Sequence, residues 1–119
     1  MDALKVEYNT ISTIVPDTPI LMEIGVGTGI VGCYLCNVVQ KILSTRTTVD
    51  SRYTYIGCDI NPIAVQVTKS TFIQNGIVDN SYIYTSDLLD NIPQHLYNKK
   101  ITILLYNPPY VPSEDYEVH

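Results

Sequence analysis

Apolar residues at positions 30, 31, 34, 35, 38, 39, 42 and 43 recur in pairs along the chain, the stripe of a helix that buries one side. Ahead of them, the short apolar run ILMEI (20–24) enters the glycine-rich GVGTG. Beyond the polar loop STRTTVDSR, the run YTYIGC is rich in aromatic and branched residues and predicts a second strand ending at Asp59. Asn61-Pro62 then opens a second helix, Asn suiting the cap and Pro the first helical position, and Asn75-Gly76 stops it about four turns later. SYIYTSD and ITILLYN supply a third and a fourth strand. Strand, helix, strand, helix, strand, strand gives repeated βαβ units. The expectation is an α/β fold with a mostly parallel sheet and ligands at the carboxyl ends of its strands.

Those carboxyl ends carry the unusual residues. Glu23-Ile24-Gly25 closes the first strand, Cys58-Asp59 the second, Ser86-Asp87 the third and Asn107-Pro108 the fourth. In Gly25-Val26-Gly27-Thr28-Gly29 the glycines allow a tight strand-to-helix turn and a close approach of ligand to backbone. A dinucleotide fingerprint would need glycine or alanine where Ile30 stands, and Asp59 follows Gly29 by 30 residues rather than by about 20. Glu23 also argues against a pyrophosphate, which a neighbouring carboxylate repels, and for a ligand bearing an ammonium group and a positive sulfonium. S-adenosylmethionine is such a ligand. Asp59 can accept from two ribose hydroxyls and Asp87 from an adenine amino group. Each acid alone reads first as a helix cap or a solvated loop residue; at successive strand ends beside Glu23 they read as one site.

The fourth strand stops at Asn107-Pro108-Pro109-Tyr110. The prolines restrict their own backbone and the residues before them, and they donate no hydrogen bond. What remains is an edge of acceptors: the Asn107 side-chain oxygen and the Pro108 carbonyl can each take one N–H of a planar NH2 group, and Tyr110 offers a face to stack on. Two such acceptors favour charge building on nitrogen as a methyl group arrives. The same string at a strand end with no ligand would be a plain Asn-Pro turn.

Composition narrows the setting. At 119 residues, 45% hydrophobic and 16% charged, the chain fits one globular domain. Net charge is −5 and the seven Lys and Arg are scattered, which weighs against autonomous nucleic-acid binding. No apolar run approaches the roughly 20 residues of a membrane span, and MDALKVEYNT lacks a signal-peptide pattern. The reading is intracellular: cytoplasmic, with the nucleus as a further compartment. Cys33, Cys36 and Cys58 are too few for a disulfide framework, and the lone C-x-x-C of Cys33 and Cys36 inside a helical stripe reads as core, with no metal expected.

MEIGVGTG, CDINPIAV, TSDLLD and above all LLYNPPYV resemble the class I S-adenosylmethionine-dependent methyltransferases, and within them the HemK-like protein glutamine methyltransferases. The resemblance runs from residue 20 to 112 and looks most like the eukaryotic and archaeal branch, which methylates the glutamine of a Gly-Gly-Gln motif in peptide chain release factors. It implies that Glu23, Gly25, Gly27, Gly29, Asp59, Ile60, Asp87 and Leu88 hold the cofactor, with Asn107 at its edge. It further implies that Asn107, Pro108, Pro109 and Tyr110 hold the substrate amide. That branch works with a small zinc-binding activator on an edge strand, here SYIYT (81–85), whose Tyr82 and Tyr84 alternate with Ile83. Complete members carry a segment before MDAL and three further strands after NPPY, so residues 1–119 are expected to form the amino-terminal, incomplete part of a methyltransferase domain, with apolar surface open beyond the fourth strand.

Three other readings compete. An adenine N6-methyltransferase of DNA or RNA also addresses a planar NH2 with a similar motif, against which stands the acidic balance. The incomplete chain speaks for a cofactor-binding module without catalysis, and the intact Asn107 and Tyr110 speak against it. A nicotinamide-dependent oxidoreductase meets the mismatch at Ile30.

Overall fold

The computed structural model describes residues 15–46, 51–98 and 100–107. Among them β1 (Ile20–Ile24), α1 (Ile30–Ser44), β2 (Thr54–Asp59), α2 (Pro62–Gln74), β3 (Ser81–Thr85) and β4 (Ile103–Tyr106) follow in the expected order, with a short 3-10 turn at Gln94–Leu96. The strands make one parallel sheet in the order β3-β2-β1-β4. The chain winds outward from β1 through β2 to β3 and then returns to the other side of β1. This reversal is the switch point at which α/β sheets bind ligands.

Register aligns the rim. Ile24 pairs with Cys58 and with Tyr106, and Cys58 pairs with Tyr84. The residues just beyond are tied across the gaps: Gly25 and Val26 N–H groups both donate to the Cys58 carbonyl (2.8 and 3.1 Å), and Asn107 N–H donates to the Ile24 carbonyl (2.8 Å). The strand ends that the sequence marks as unusual therefore share one edge.

Alternate residues of each strand face opposite layers. On one side Leu21, Tyr55 and Ile83 pack with Leu35, Cys36, Val39 and Leu43 of α1 and Val65 and Phe72 of α2. On the other, Ile20, Met22, Ile56 and Cys58 meet Ile92, with Leu89, Leu96 and Tyr97 partly buried around them. Cys33 and Cys36 are core residues, and burial pushes the Cys36 thiol up to about 12. The apolar stripe of α1 is rotated relative to the expected one: Ile30 is exposed, while Gly32, Cys33 and Cys36 face the sheet.

The second helix starts and stops as its sequence dictates. Asn61 accepts from the Ile63 N–H (2.9 Å) with Pro62 at the first helical position. At the far end Gly76 takes φ +73, and the N–H groups of Gly76 and Ile77 donate to Ile73 and Phe72 carbonyls (3.1 and 2.8 Å). That pairing satisfies two of the last-turn carbonyls and places Ile77 in the same cluster as Phe72. Among the described residues of β4, Leu104 and Tyr106 are 56% and 54% exposed. Among the described residues no helix is long and apolar enough to cross a membrane.

Candidate functional site

A cavity of about 420 Å³ lies along the carboxyl edge, within the size range of small-ligand sites. Each strand end contributes to its wall: Ile24, Gly25 and Gly27 after β1; Cys58, Asp59, Ile60 and Asn61 after β2; Ser86, Asp87 and Leu88 after β3; Tyr106 and Asn107 after β4. Ala64 of α2 completes it. Most of the residues singled out in the sequence thus converge on one space.

The glycine turn is built from left-handed backbone. Gly25, Gly27 and Gly29 have φ of +86, +59 and +86, a region in which a Cβ is strained. The three glycines serve different ends. A Cβ on Gly25 would collide with the Asn107 carbonyl oxygen, whereas one on Gly27 meets nothing within 4 Å. Gly29 does not line the cavity; it sits against Thr68 of α2, 3.0–3.3 Å from where its Cβ would be. Two hydroxyls of α2 hold the turn in place: Thr68 donates to the Gly27 carbonyl (3.1 Å) and Thr71 to that of Thr28 (2.8 Å).

Asp59 spans the turn. Its Oδ2 accepts from the Gly27 N–H (3.2 Å) and its Oδ1 from the Asn61 N–H (3.0 Å). One lone-pair direction on each oxygen remains, the acceptor pair that two vicinal hydroxyls require. Ile60 and Leu88, 59% and 51% exposed, line the same wall and offer apolar surface for a planar base. Leu88 adopts φ +55, and its carbonyl accepts from the Ser86 hydroxyl (2.8 Å) and the Cys58 thiol (3.3 Å). Ser86 in turn accepts from the Asn91 N–H (2.9 Å). These bonds fix the turn that carries Asp87 to the cavity.

Glu23, read from the sequence as a cofactor residue, has its side chain fully buried on the α1 side of the sheet and is not among the residues that line the cavity. Its Oε1 accepts from the Tyr55 hydroxyl (2.5 Å) and its Oε2 from Asn107 Nδ2 (3.2 Å). Burial raises the carboxyl above its ordinary value against the opposing effect of these two bonds, and the Asp59 charge raises it further. Tyr55 is held above the usual phenol range by burial and by the same carboxylate.

Asn107 therefore has a determined orientation. Nδ2 faces the Glu23 carboxylate and also the Gly25 carbonyl (3.4 Å), two groups that accept hydrogen bonds, so the amide nitrogen and not the oxygen must lie there. Among the described residues Oδ1 takes no hydrogen bond, and Asn107 is an exposed member of the cavity wall. Pro108, Pro109 and Tyr110 lie outside the described residues.

Sequence reasoning did not single out Tyr55, Thr68 or the glycines at 32 and 57 as parts of this arrangement. Gly32 and Gly57 stand where a Cβ would come within 2.7–2.8 Å of the Tyr55 hydroxyl. Glycine inside a helix and inside a strand, both flanking a buried tyrosine, was the available signal.

Comparison with known proteins fits this geometry. No family model matches the chain. Over 97 residues, 82% of its length, the chain is 31% identical to a Methanocaldococcus jannaschii protein provisionally named a protein N5-glutamine methyltransferase, and it spans 40% of that protein. Among solved structures it is similar to an rRNA methylase from Streptococcus thermophilus (TM-score 0.61, 18% identity, 94% of this chain and 53% of that one). It is also similar to TrmK of M. capricolum, solved with S-adenosylhomocysteine (TM-score 0.51, 17% identity, 84% of this chain and 39% of that one). With β4 returned beside β1 in a parallel sheet, the chain thus has a Rossmann-like fold similar to that of these solved methyltransferases.

Proposed function

We propose that the chain is the cofactor-binding part of an S-adenosylmethionine-dependent methyltransferase that acts on a planar NH2 group, the side-chain amide of the glutamine in a release-factor Gly-Gly-Gln motif. The observation that carries the reading is Asn107: its Nδ2 is engaged inward, so its Oδ1 is left as an acceptor at the cavity where the glycine turn and Asp59 also lie.

The chain's residues fit the cofactor. Asp59 retains acceptor capacity on both oxygens, Ile60 and Leu88 present apolar surface, and Gly27 leaves open space at the turn. Asp87 stands at the next strand end for an amino group. When bound, the cofactor supplies an electrophilic methyl group, which the amide nitrogen's electron pair takes as the carbon–sulfur pair returns to sulfur and an N–H proton leaves to water. Asn107 accepts one N–H of the substrate and favours the positive charge that develops on its nitrogen. Pro108 and Tyr110, as read from the sequence, complete the acceptor edge and the stacking face.

The M. jannaschii relative's name supports a glutamine side chain as the target, and an adenine amino group, also a planar NH2, is the competing target of the same acceptor. Net charge −5 favours the protein substrate. For partners, we propose a small zinc-binding activator on β3. This strand lies at an edge of the described sheet, with Tyr82 38% exposed beside the buried Ile83.

The test is calorimetric titration of S-adenosylmethionine into the full-length protein co-expressed with such an activator, followed by mass spectrometry of a release factor incubated with both. Binding and the gain of one methylene in mass on the Gly-Gly-Gln glutamine are expected. Binding with methylation of adenine instead would move the substrate to nucleic acid; no binding would overturn the cofactor assignment.

A further inference from the structure

A buried carboxylate needs donors, because an uncompensated charge in the core is strongly unfavourable. Among the described residues Glu23 receives two, the Tyr55 hydroxyl and Asn107 Nδ2. Neither is local, lying 32 and 84 positions away in sequence. Space for the pair is kept open by two glycines inside regular elements: a Cβ on Gly32 of α1 would meet Glu23 Oε1 and the Tyr55 hydroxyl at 2.7 Å each, and one on Gly57 of β2 would meet the Tyr55 ring edge and hydroxyl at 2.8 Å. Glycine is unfavourable in a helix or a strand, so both elements give up local stability around a polar pair that a leucine-filled core would not need.

We infer that Tyr55 and Glu23 are positioning residues, which together fix the Asn107 amide with Nδ2 turned into the protein and Oδ1 presented to the cavity. Tyr55 holds Oε1 and so turns the carboxylate edge-on, leaving Oε2 for Asn107. The Gly25 carbonyl provides a second acceptor for the same Nδ2 at 3.4 Å. Were the amide reversed, Oδ1 would face two oxygens with no hydrogen between them, and a donor would replace the acceptor in the cavity. Presenting an acceptor to a substrate NH2 rests on the function proposed above; the orientation of Asn107 does not.

Substitutions at the two positions separate this role from simple packing. Tyr55→Phe keeps the ring and its contact with Phe72 (centroids 4.8 Å apart) and removes only the hydroxyl. Glu23→Gln is more disruptive than it looks. The Tyr55 hydroxyl can donate to the new amide oxygen or accept from its nitrogen, so the pair no longer fixes which end of the side chain faces Asn107 Nδ2, and the Asn107 amide signals should shift.

The experiment uses the isotope-labelled full-length protein. The Asn107 side-chain amide signals are identified by their loss in Asn107→Ala, and methyl transfer is measured with saturating cofactor. Tyr55→Phe should shift those signals and lower kcat roughly tenfold, with cofactor affinity changed less than about twofold. Unmoved Asn107 signals in Tyr55→Phe, or an unchanged kcat, would overturn the inference, since the retained ring keeps the packing. If the signals respond as expected while the wild-type protein methylates neither amide nor adenine, the positioning stands and the proposed function falls.

Discussion

Replacing a helical glycine by alanine ordinarily stabilises a protein, by about 0.5–1 kcal/mol. Gly32→Ala should do the opposite. Gly32 lies in the first turns of α1, and its missing Cβ is the space in which the Tyr55 hydroxyl meets Glu23. At 2.7 Å from both oxygens the new methyl group is several tenths of an ångström inside normal contact, and neither oxygen can retreat alone because they are bonded to each other at 2.5 Å. Separating them forfeits a hydrogen bond to a charged group, about 1.5–3 kcal/mol, and leaves the carboxylate short of a donor. Setting this against the propensity gain leaves a net loss of about 1–2 kcal/mol. Urea denaturation of wild type and variant at neutral pH measures it, with an unchanged m-value showing that the same structure unfolds. A variant more stable than wild type would refute the reasoning, because the pair would then be loose enough to make room.

Other consequences follow from the same contacts. Gly25→Ala and Gly27→Ala share the left-handed backbone penalty of about 1–2 kcal/mol per residue, but only the first collides with Asn107. Gly25→Ala should therefore be less stable than Gly27→Ala by a further amount near ~2 kcal/mol, and equal denaturation midpoints would contradict the close approach. Asp59→Ala should weaken S-adenosylmethionine binding in calorimetry, whereas Asn107→Ala should leave affinity within a few fold and abolish methyl transfer; unchanged affinity in the former would remove Asp59 from the site. Glu23 also sets a pH dependence. Its carboxyl is raised in the folded protein above an ordinary value of 4.5, so between that value and the raised one the folded state binds the extra proton and stability falls as pH rises. Glu23→Gln lacks this contribution, and the stability difference between wild type and variant should shrink across that window and level off above it. A difference that is flat from acid to neutral pH would show that the carboxyl is not raised.

The order of elements, the caps of α2 and the location of the site were legible in the chain. Each rests on signals confined to a few residues: apolar spacing for α1, Asn61-Pro62 and Asn75-Gly76 for the ends of α2, glycine and acidic residues at strand ends for the cavity. Even there the stripe of α1 differs from the one its apolar spacing predicts, because Gly32, Cys33 and Cys36 face the sheet and Ile30 does not. Small residues lie where a helix comes close to a strand, and hydrophobicity alone does not reveal that closeness.

Tertiary structure decided which way Glu23 points and what it holds. In a parallel sheet covered by packing on both faces, alternation along a strand does not tell a ligand-facing position from a core-facing one. Leu21 and Glu23 share a face, and only the placement of α1 over that face makes Glu23 a buried carboxylate. The strand order was equally undetermined by local pattern. Setting β4 beside β1 is what brings Asn107 to within hydrogen-bonding distance of Glu23 and its carbonyl against Gly25. Local sequence determines backbone preference and polarity residue by residue; contacts between residues 84 positions apart exist only once the sheet has chosen its neighbours, and the orientation of one amide at the cavity depends on that choice.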